Sequence, residues 1–489
     1  MQSEILLNKE NKKNLKEEAG FKIITTCLNY PLLRKLFFDK VKKSFYEYLV
    51  LKNPFGSPRE VQIKKYRFIN SLLDSVDRTL KKGFISPEVA KKAFKTLGKN
   101  LIHSEELMST CNEFKKKYGD MPPAFIVLGP TQKCNLTCKG CYASSKYNAP
   151  TLPYDIIDKI AGEIHDEWGS RFMTITGGEP LMYNSNGKTL FDLWEKYNDM
   201  FFLFYTNGTL ITEEVAKKLA KLGNVTPAIS IEGYEKETDE RRGKGVYEKM
   251  LNSVKNLKKA GVPFGISVTA TSKNFDILKD DKFYDFVFNE LGAVYMWMFQ
   301  LMPIGQACDM RNCMINPEQR IELYNKWVHL LEEKKYCIAD FWNSGVLTDG
   351  CIAFGRRSGY LYIDWNGNIT PCTFVPFFED NIIQLYNEGK KLTDSLFSEL
   401  FVNGRKWQKD YGFLKHDPDN WLMPCAIRDH FINFKKNIVT KKTKPEDKFA
   451  KYALTSKDYE KVLKKFDKEL SDKSLPIWKE KYARKSEEK

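Results

Sequence analysis

Apolar residues between about 122 and 335 fall into two alternating rhythms. Short runs rich in β-branched and aromatic side chains occupy 125–128, 172–175, 200–205, 226–231, 264–269 and 294–301, and read as strands. Between and after them, apolar positions recur at helical spacing over 154–168, 190–198, 213–222, 247–260, 281–291 and 317–334. Gly223 and Gly261 stand just past two of these helices, where a left-handed C-terminal cap belongs. Strict strand–helix alternation predicts an α/β fold with a parallel sheet and helices outside. Six such units suit a partial (β/α)6 barrel, whose chemistry collects at the C-terminal ends of the strands.

The flanks have other textures. Residues 1–120 are lysine-rich and helical in pattern, 336–440 are richer in Gly, Trp and spaced Cys, and 441–489 form a charged helical tail. Over 31–52 the apolar Leu33, Phe37, Val41, Phe45 and Tyr48 recur at helical spacing, with Arg34, Lys35, Lys40, Lys42 and Lys43 between them. Such a helix can lie on an anionic membrane surface or pack its apolar face against the barrel. The strip 68–80 is similar but less charged. No apolar run approaches the roughly 18 residues that span a bilayer. The first residues lack a secretory apolar core, so the expected location is the cytoplasm, with peripheral membrane contact through 31–52.

With 42% hydrophobic and 13% aromatic residues the chain is globular in composition. Eleven cysteines without an export signal point to metal or redox use, not to a disulfide framework. The net charge of +15 admits a general lysine bias or a polyanionic partner. Lysines are mixed with glutamates, and aromatics sit in apolar patterns instead of alternating with basic residues, which argues against a nucleic-acid-binding iron–sulfur protein.

Directly after the first strand comes Cys134-Asn-Leu-Thr-Cys138-Lys-Gly-Cys141-Tyr142. Three thiolates on one short loop can wrap one corner of an iron–sulfur cubane and leave one iron open for a small molecule. A structural zinc ion would need a fourth ligand, and none of the five histidines lies near this loop. Later strand ends carry Thr176-Gly177-Gly178-Glu179-Pro180, then Tyr205-Thr206-Asn207-Gly208, then Ser230-Ile231-Glu232-Gly233. The paired glycines would let backbone approach a ligand closely.

The Cys-x3-Cys-x2-Cys loop and the Gly-Gly-Glu-Pro segment resemble the radical S-adenosylmethionine (SAM) superfamily over roughly 122–310. The resemblance implies a [4Fe–4S] cluster on Cys134, Cys138 and Cys141 whose open iron chelates the methionine end of SAM. It places Gly177, Gly178, Glu179 and Pro180 at the SAM amino group and Tyr142 beside the adenine. Ser230 or Glu232 would contact the ribose, with Thr206 and Asn207 at the same site. Reductive cleavage of SAM would give a 5′-deoxyadenosyl radical that takes hydrogen from an unactivated C–H bond. A ferredoxin or flavodoxin would be the low-potential electron donor, and an open iron implies anaerobic handling.

Beyond the barrel stand Cys351, Cys372 and Cys425. Between the first two, Asn366-Gly367 reads as the two-residue turn of a hairpin. This pattern resembles a reduced SPASM/twitch extension and implies one auxiliary [4Fe–4S] cluster. Its fourth ligand would be Asp429, His430, a cysteine from elsewhere or substrate; alternatively all three cysteines are buried apolar residues. Cys308 and Cys313 follow the sixth strand, where a thiol could give a hydrogen atom to a substrate radical; they are otherwise core or surface residues. The implied layout is then a helical region (1–120), a radical SAM partial barrel (121–335), a SPASM/twitch-like domain (336–440) and a tail (441–489). It resembles radical SAM enzymes that couple archaeal lipid tails, which predicts a lipid alkyl or isoprenoid substrate. The alternative is a maturase that crosslinks or epimerises a ribosomal peptide.

Overall fold

A computed structural model describes residues 26–54, 56–101 and 105–483. Helices Pro31–Tyr46, Arg59–Lys81, Pro87–Leu101 and Glu105–Tyr118 come first, the first of them running on into a π-helical stretch, Glu47–Lys52. The predicted strands then appear as β1 (Phe125–Leu128), β2 (Phe172–Ile175), β3 (Phe201–Thr206), β4 (Val225–Ile231), β5 (Gly265–Ala270) and β6 (Tyr295–Gln300). They pair in parallel in that order. Helices Tyr154–Asp166, Leu190–Lys196, Glu213–Leu222, Val246–Ala260 and Pro317–Glu332 lie where the periodicity put them. Gly223 and Gly261 cap two of them, each with φ 71°. The helix expected over 281–291 is instead Asp281–Asp285 followed by a π-helical stretch, Phe286–Leu291.

Strand residues divide by parity, as the pleat requires. Ile126, Met173, Phe204, Ile229, Ile266 and Met296 are fully buried in the main core. Their neighbours Val127, Thr174, Tyr205, Ser230, Ser267 and Trp297 line an internal cavity.

The sheet is larger than six strands. Further ones are β7 (Ile338–Asp340), β8 (Tyr360–Ile363), β9 (Asn368–Thr370) and β11 (Asp380–Asn381), while β10 (Phe377–Phe378) and β12 (Lys444–Pro445) pair with each other in a separate antiparallel ribbon. The order β11-β9-β8-β1-β2-β3-β4-β5-β6-β7 puts the C-terminal hairpin on the β1 edge, with Phe125 opposite Tyr360 and Leu128 opposite Ile363. The hairpin loop has three residues, not the two expected. Asp364 N donates to Asn368 O (3.1 Å) and Gly367, at φ 85°, donates to Asp364 O (3.0 Å). Asp364 Oδ1 accepts from the amides of both Asn366 and Asn368 (2.8 Å each), an Asx turn that extends the loop.

Helix Pro31–Tyr46 is rotated from the expected register. Arg34 is buried on Asp77 (2.7 Å) and Leu28 O (2.8 Å), and Phe38 packs beside it. Satisfying that guanidinium turns Leu33 and Tyr48 outward, along with Tyr30, Leu32, Leu36 and Leu51. Among the described residues no helix is long and apolar enough to cross a membrane.

Candidate active site

The segment after β1 runs close against the turn after β2. Gly178 N donates to Thr131 O (2.8 Å) and Glu179 N to Lys133 O (2.7 Å). A Cβ on Gly178 would lie 2.1 Å from Lys133 O, and one on Gly177 2.5 Å from Thr131 O. The two glycines therefore admit the chain's own cysteine-bearing segment, not only a ligand. Cys141 N closes back on Cys138 O (3.3 Å) around Gly140, which sits at φ 68°. Cys134 Sγ accepts from Leu136 N (3.5 Å) and faces Asn207 Nδ2 at 3.8 Å. Burial pushes the Cys134 thiol up to about 11, and pushes Cys138 up against the opposing pull of Arg242. Metal coordination reverses that preference, because the ligand is the thiolate.

Glu179 is fully buried with its carboxylate committed to protein: Oε1 accepts from Thr206 Oγ1 (2.8 Å) and Leu181 N (3.2 Å), Oε2 from Asn207 N (2.8 Å). Burial lifts it to about 7 despite these donors. It ties the β2 turn to the β3 turn. Glu232, at the end of β4, is engaged in the same way. Its Oε1 takes Arg242 Nε (2.9 Å) and Nη2 (2.6 Å) as well as Arg241, and its Oε2 accepts from Thr269 N (3.2 Å). Neither glutamate, nor Pro180, lines the cavity, whereas Gly177, Gly178, Thr206, Asn207 and Ser230 do. Arg241 and Arg242 also line it, and sequence reasoning missed both. The available signal was an acid at a strand end followed, within the next helix, by an Arg-Arg pair. Tyr142 hydroxyl meets Thr176 Oγ1 (2.9 Å) and accepts from Gly177 N (3.1 Å). That fixes its ring in the cavity wall.

The cavity measures about 660 Å³ and contains Cys134, Cys138 and Cys141 on its wall. It follows the barrel lumen from Phe172 to Thr176 along β2, about 13 Å at strand rise. Phe299, Phe341, Trp342 and Phe374 pack on one another along it, with centroids 4.8–5.7 Å apart.

Residues 128–280 match the radical SAM superfamily profile. The chain is a radical SAM enzyme. An AdoMet-dependent heme synthase of Methanosarcina barkeri is 25% identical over 342 residues, 63% of this chain and 89% of that protein. The mycofactocin maturase MftC of Mycolicibacterium smegmatis is 29% identical over 323 residues, 62% of this chain and 74% of that protein. Among solved structures, Streptococcus suis SuiB bound to precursor peptide SuiA has 18% identity and a TM-score of 0.48, covering 60% of this chain and 69% of that one. The superfamily implies SAM and one [4Fe–4S] cluster. The donor set fits: three thiols from one loop on one cavity wall, beside a glycine turn and a fixed tyrosine.

The radical SAM cavity continues to Cys351, Cys372 and Cys425, which also line it. Tyr360 hydroxyl lies 2.9 Å from Cys372 Sγ, and Phe374 N donates to that sulfur (3.4 Å). Burial pushes Cys372 up to about 12 and raises Cys351 and Cys425 too. Among the described residues no group of three His, Cys, Asp or Glu side chains is close enough to hold a single metal ion.

The other expected residues stand apart from the cavity. Asp429 is buried in a two-pronged pair with Arg320 (Nη2–Oδ2 2.9 Å) and accepts from Cys425 N (3.1 Å). His430 Nε2 lies 2.9 Å from Met423 O, its ring against Tyr411 and Trp407. Cys308 is buried in the main core, and Cys313 in a small cluster with Leu301 and Ala307.

Proposed function

We propose that Cys134, Cys138 and Cys141 hold the SAM-binding cluster, that Cys351, Cys372 and Cys425 hold an auxiliary [4Fe–4S] cluster, and that the substrate binds between them. The observation that carries this is the single cavity walled by both cysteine sets. When bound, the first cluster and SAM bring one-electron cleavage of SAM and hydrogen abstraction from an unactivated C–H bond. The chain's own residues do the rest. Thr176 and Gly177 orient Tyr142, Ser230 presents a hydroxyl, and Glu232 holds Arg241 and Arg242 in the wall. The aromatic group around Phe374 excludes water from the reacting bond.

The wall favours an apolar chain as substrate, a lipid alkyl or isoprenoid segment. Its lumen is lined by Phe125, Phe172, Leu203, Trp297 and Phe299, and the helical region adds Leu49, Phe68 and Ile69. The cationic side chains on it are already committed, Lys65 to Asp349 (2.7 Å) and Arg241 and Arg242 to Glu232. A tetrapyrrole or a peptide, which the names of the relatives suggest, brings carboxylates or amides that would meet few free partners there. Exposed Leu32, Leu36 and Leu51, with Lys35 and Lys43 beside them, would rest on an anionic membrane from which such a chain could enter.

Iron and sulfide analysis with EPR tests the clusters. About eight irons per chain are expected after anaerobic reconstitution, falling to about four when either cysteine set is replaced by alanine. SAM cleavage should vanish in the Cys134/Cys138/Cys141 variant. About four irons in the wild type would remove the auxiliary cluster. SAM cleavage stimulated by a peptide or a tetrapyrrole and not by lipid, with no binding to anionic vesicles, would replace the substrate assignment.

A further inference from the structure

The cavity wall limits how many protein ligands the proposed auxiliary cluster can have. Besides the six cysteines, no Asp, Glu or His is among the described residues that line it. Cys27, Cys111, Cys308, Cys313 and Cys337 do not line it either. The two candidates that follow Cys425 in sequence are committed elsewhere. Asp429 gives its oxygens to Arg320 and to Cys425 N (3.1 Å), and His430 Nε2 lies 2.9 Å from Met423 O. Gln408 stands behind Cys351, off the wall, with Nε2 donating to Cys351 O and Ala353 O (2.9 Å each). Hydroxyls on the wall are no better placed. Tyr360 Oη is taken up by Cys372 Sγ (2.9 Å), Ser344 Oγ donates to Asp340 O, and Thr348 Oγ1 donates to Gly350 O (2.8 Å). Ser358 and Thr373 remain, alcohols that keep their protons at neutral pH.

Three thiolates therefore serve four irons. The same count at Cys134, Cys138 and Cys141 leaves the iron that the superfamily uses for SAM. Among the described residues neither set is close enough to hold a single ion, as expected where each thiolate takes a separate iron of a cluster. Cys351, Cys372 and Cys425 all line the lumen, so the fourth corner has the lumen beside it. Trp342 and Phe374 pack there with centroids 4.8 Å apart, which suits an apolar body and keeps water out. We propose that the cluster on Cys351, Cys372 and Cys425 keeps one iron without a protein ligand, turned to the lumen, and that this iron takes an oxygen donor, hydroxyl or carboxylate, at one end of the substrate chain. This rests on the cluster and substrate readings above. An alkyl or isoprenoid lipid carries its polar function as oxygen at one end. The cationic side chains of the wall, Lys65, Arg241 and Arg242, are already paired, so the iron supplies the partner that they do not. Held by that end, the chain lies along the lumen toward the first cysteine set.

Full-length Cys134/Cys138/Cys141→Ala protein, reconstituted anaerobically and reduced, isolates the second set for EPR and ENDOR with ¹³C-cyanide. A ¹³C coupling is expected, and mild oxidation should release one iron and give the signal of a three-iron cluster. Octanoate or 1-octanol labelled with ¹⁷O, each an apolar chain with one oxygen end, should broaden the reduced signal. Should the variant not fold, wild type holding S-adenosylhomocysteine repeats the measurement: that ligand covers the first open iron and lacks the sulfonium that reduction cleaves. A folded variant without iron removes the auxiliary cluster and this proposal with it. About four irons with neither coupling nor iron loss overturns the open corner alone and leaves the cluster standing. Coupling that appears only after His430→Gln makes that histidine the fourth ligand and likewise overturns it. Cyanide coupling with no broadening by either chain overturns the oxygen donor.

Discussion

Replacing Gly178 by alanine should disable SAM cleavage without touching a ligand. The new Cβ would stand 2.1 Å from Lys133 O and 2.6 Å from Gln132 O, nearly 1 Å nearer than a carbon and an oxygen can approach. Both obstacles are backbone, so no rotamer relieves the clash. The segment must move, and the bonds from Gly178 N to Thr131 O and from Glu179 N to Lys133 O are the first to break. Two buried amides left unpaired cost about 2–6 kcal/mol. The displacement falls on Cys134, one residue beyond Lys133. The assay is SAM cleavage under reduction, with iron content measured on the same samples. A fall of at least about tenfold is expected, since 1.4 kcal/mol already makes that factor. Gly187→Ala is the control: its φ is 84° but no atom lies within 4 Å of the added carbon, so only backbone strain of about 1–2 kcal/mol applies and cleavage should persist. A Gly178→Ala protein with wild-type iron and cleavage would refute the close-approach argument.

Asp429→Asn breaks a fully buried pair with Arg320 and should destabilise by about 3–5 kcal/mol, read as a lower Tm. Folded protein should keep its iron; loss of iron alone would instead make Asp429 a ligand. Asp467, lifted to about 8 by burial and the nearby Asp429, donates nothing when ionised and leaves Oδ1 unpartnered. The folded state holds its proton between the ordinary carboxylate range and about 8, so stability should fall as pH rises through that window, by at most about 6 kcal/mol. Asp467→Asn should flatten the Tm profile between pH 5 and 9; an unchanged slope would assign it to another group. Tyr360→Phe removes the hydroxyl 2.9 Å from Cys372 Sγ and should lower the reduction potential of the proposed auxiliary cluster with iron content unchanged, as redox titration by EPR would show.

The six barrel strands were legible because strands covered on both faces read as continuous apolar runs, bounded by turn residues. β7 was not, because three residues, Ile-Ala-Asp, carry no period. The hairpin around Asn366 was legible from its local turn, but its pairing with β1 was not. That contact joins residues more than 230 positions apart, and nothing in either segment names its partner. The rotation of helix Pro31–Tyr46 escaped for a related reason: the alternation of apolar and basic residues counts Arg34 as polar, whereas Asp77 on the next helix makes it the buried residue.

The strand-end glutamates pose the harder problem. A carboxylate at the end of a barrel strand looks the same in sequence whether it faces a ligand or is consumed by protein donors. Glu179 takes Thr206 and Asn207 from the next strand end, and Glu232 takes Thr269 from the strand after its own. Each acid therefore joins neighbouring strand-end loops. Their placement beside the cysteine loop follows from what the loops need: Asn207 reaches both Asn135 Oδ1 (2.9 Å) and Cys134 Sγ, while Arg241 O accepts from Lys139 N (2.9 Å). Cys134 and Cys138 are thus held from the β3 and β4 ends through partners that the two glutamates fix. A glutamate facing the cavity would instead put an anion next to thiolates that already repel one another, and the low dielectric of a buried wall would raise that cost. Positioning by paired acids leaves the cavity itself to aromatic side chains and neutral hydroxyls, so that no unpaired carboxylate of these strand ends stands beside the cysteine loop.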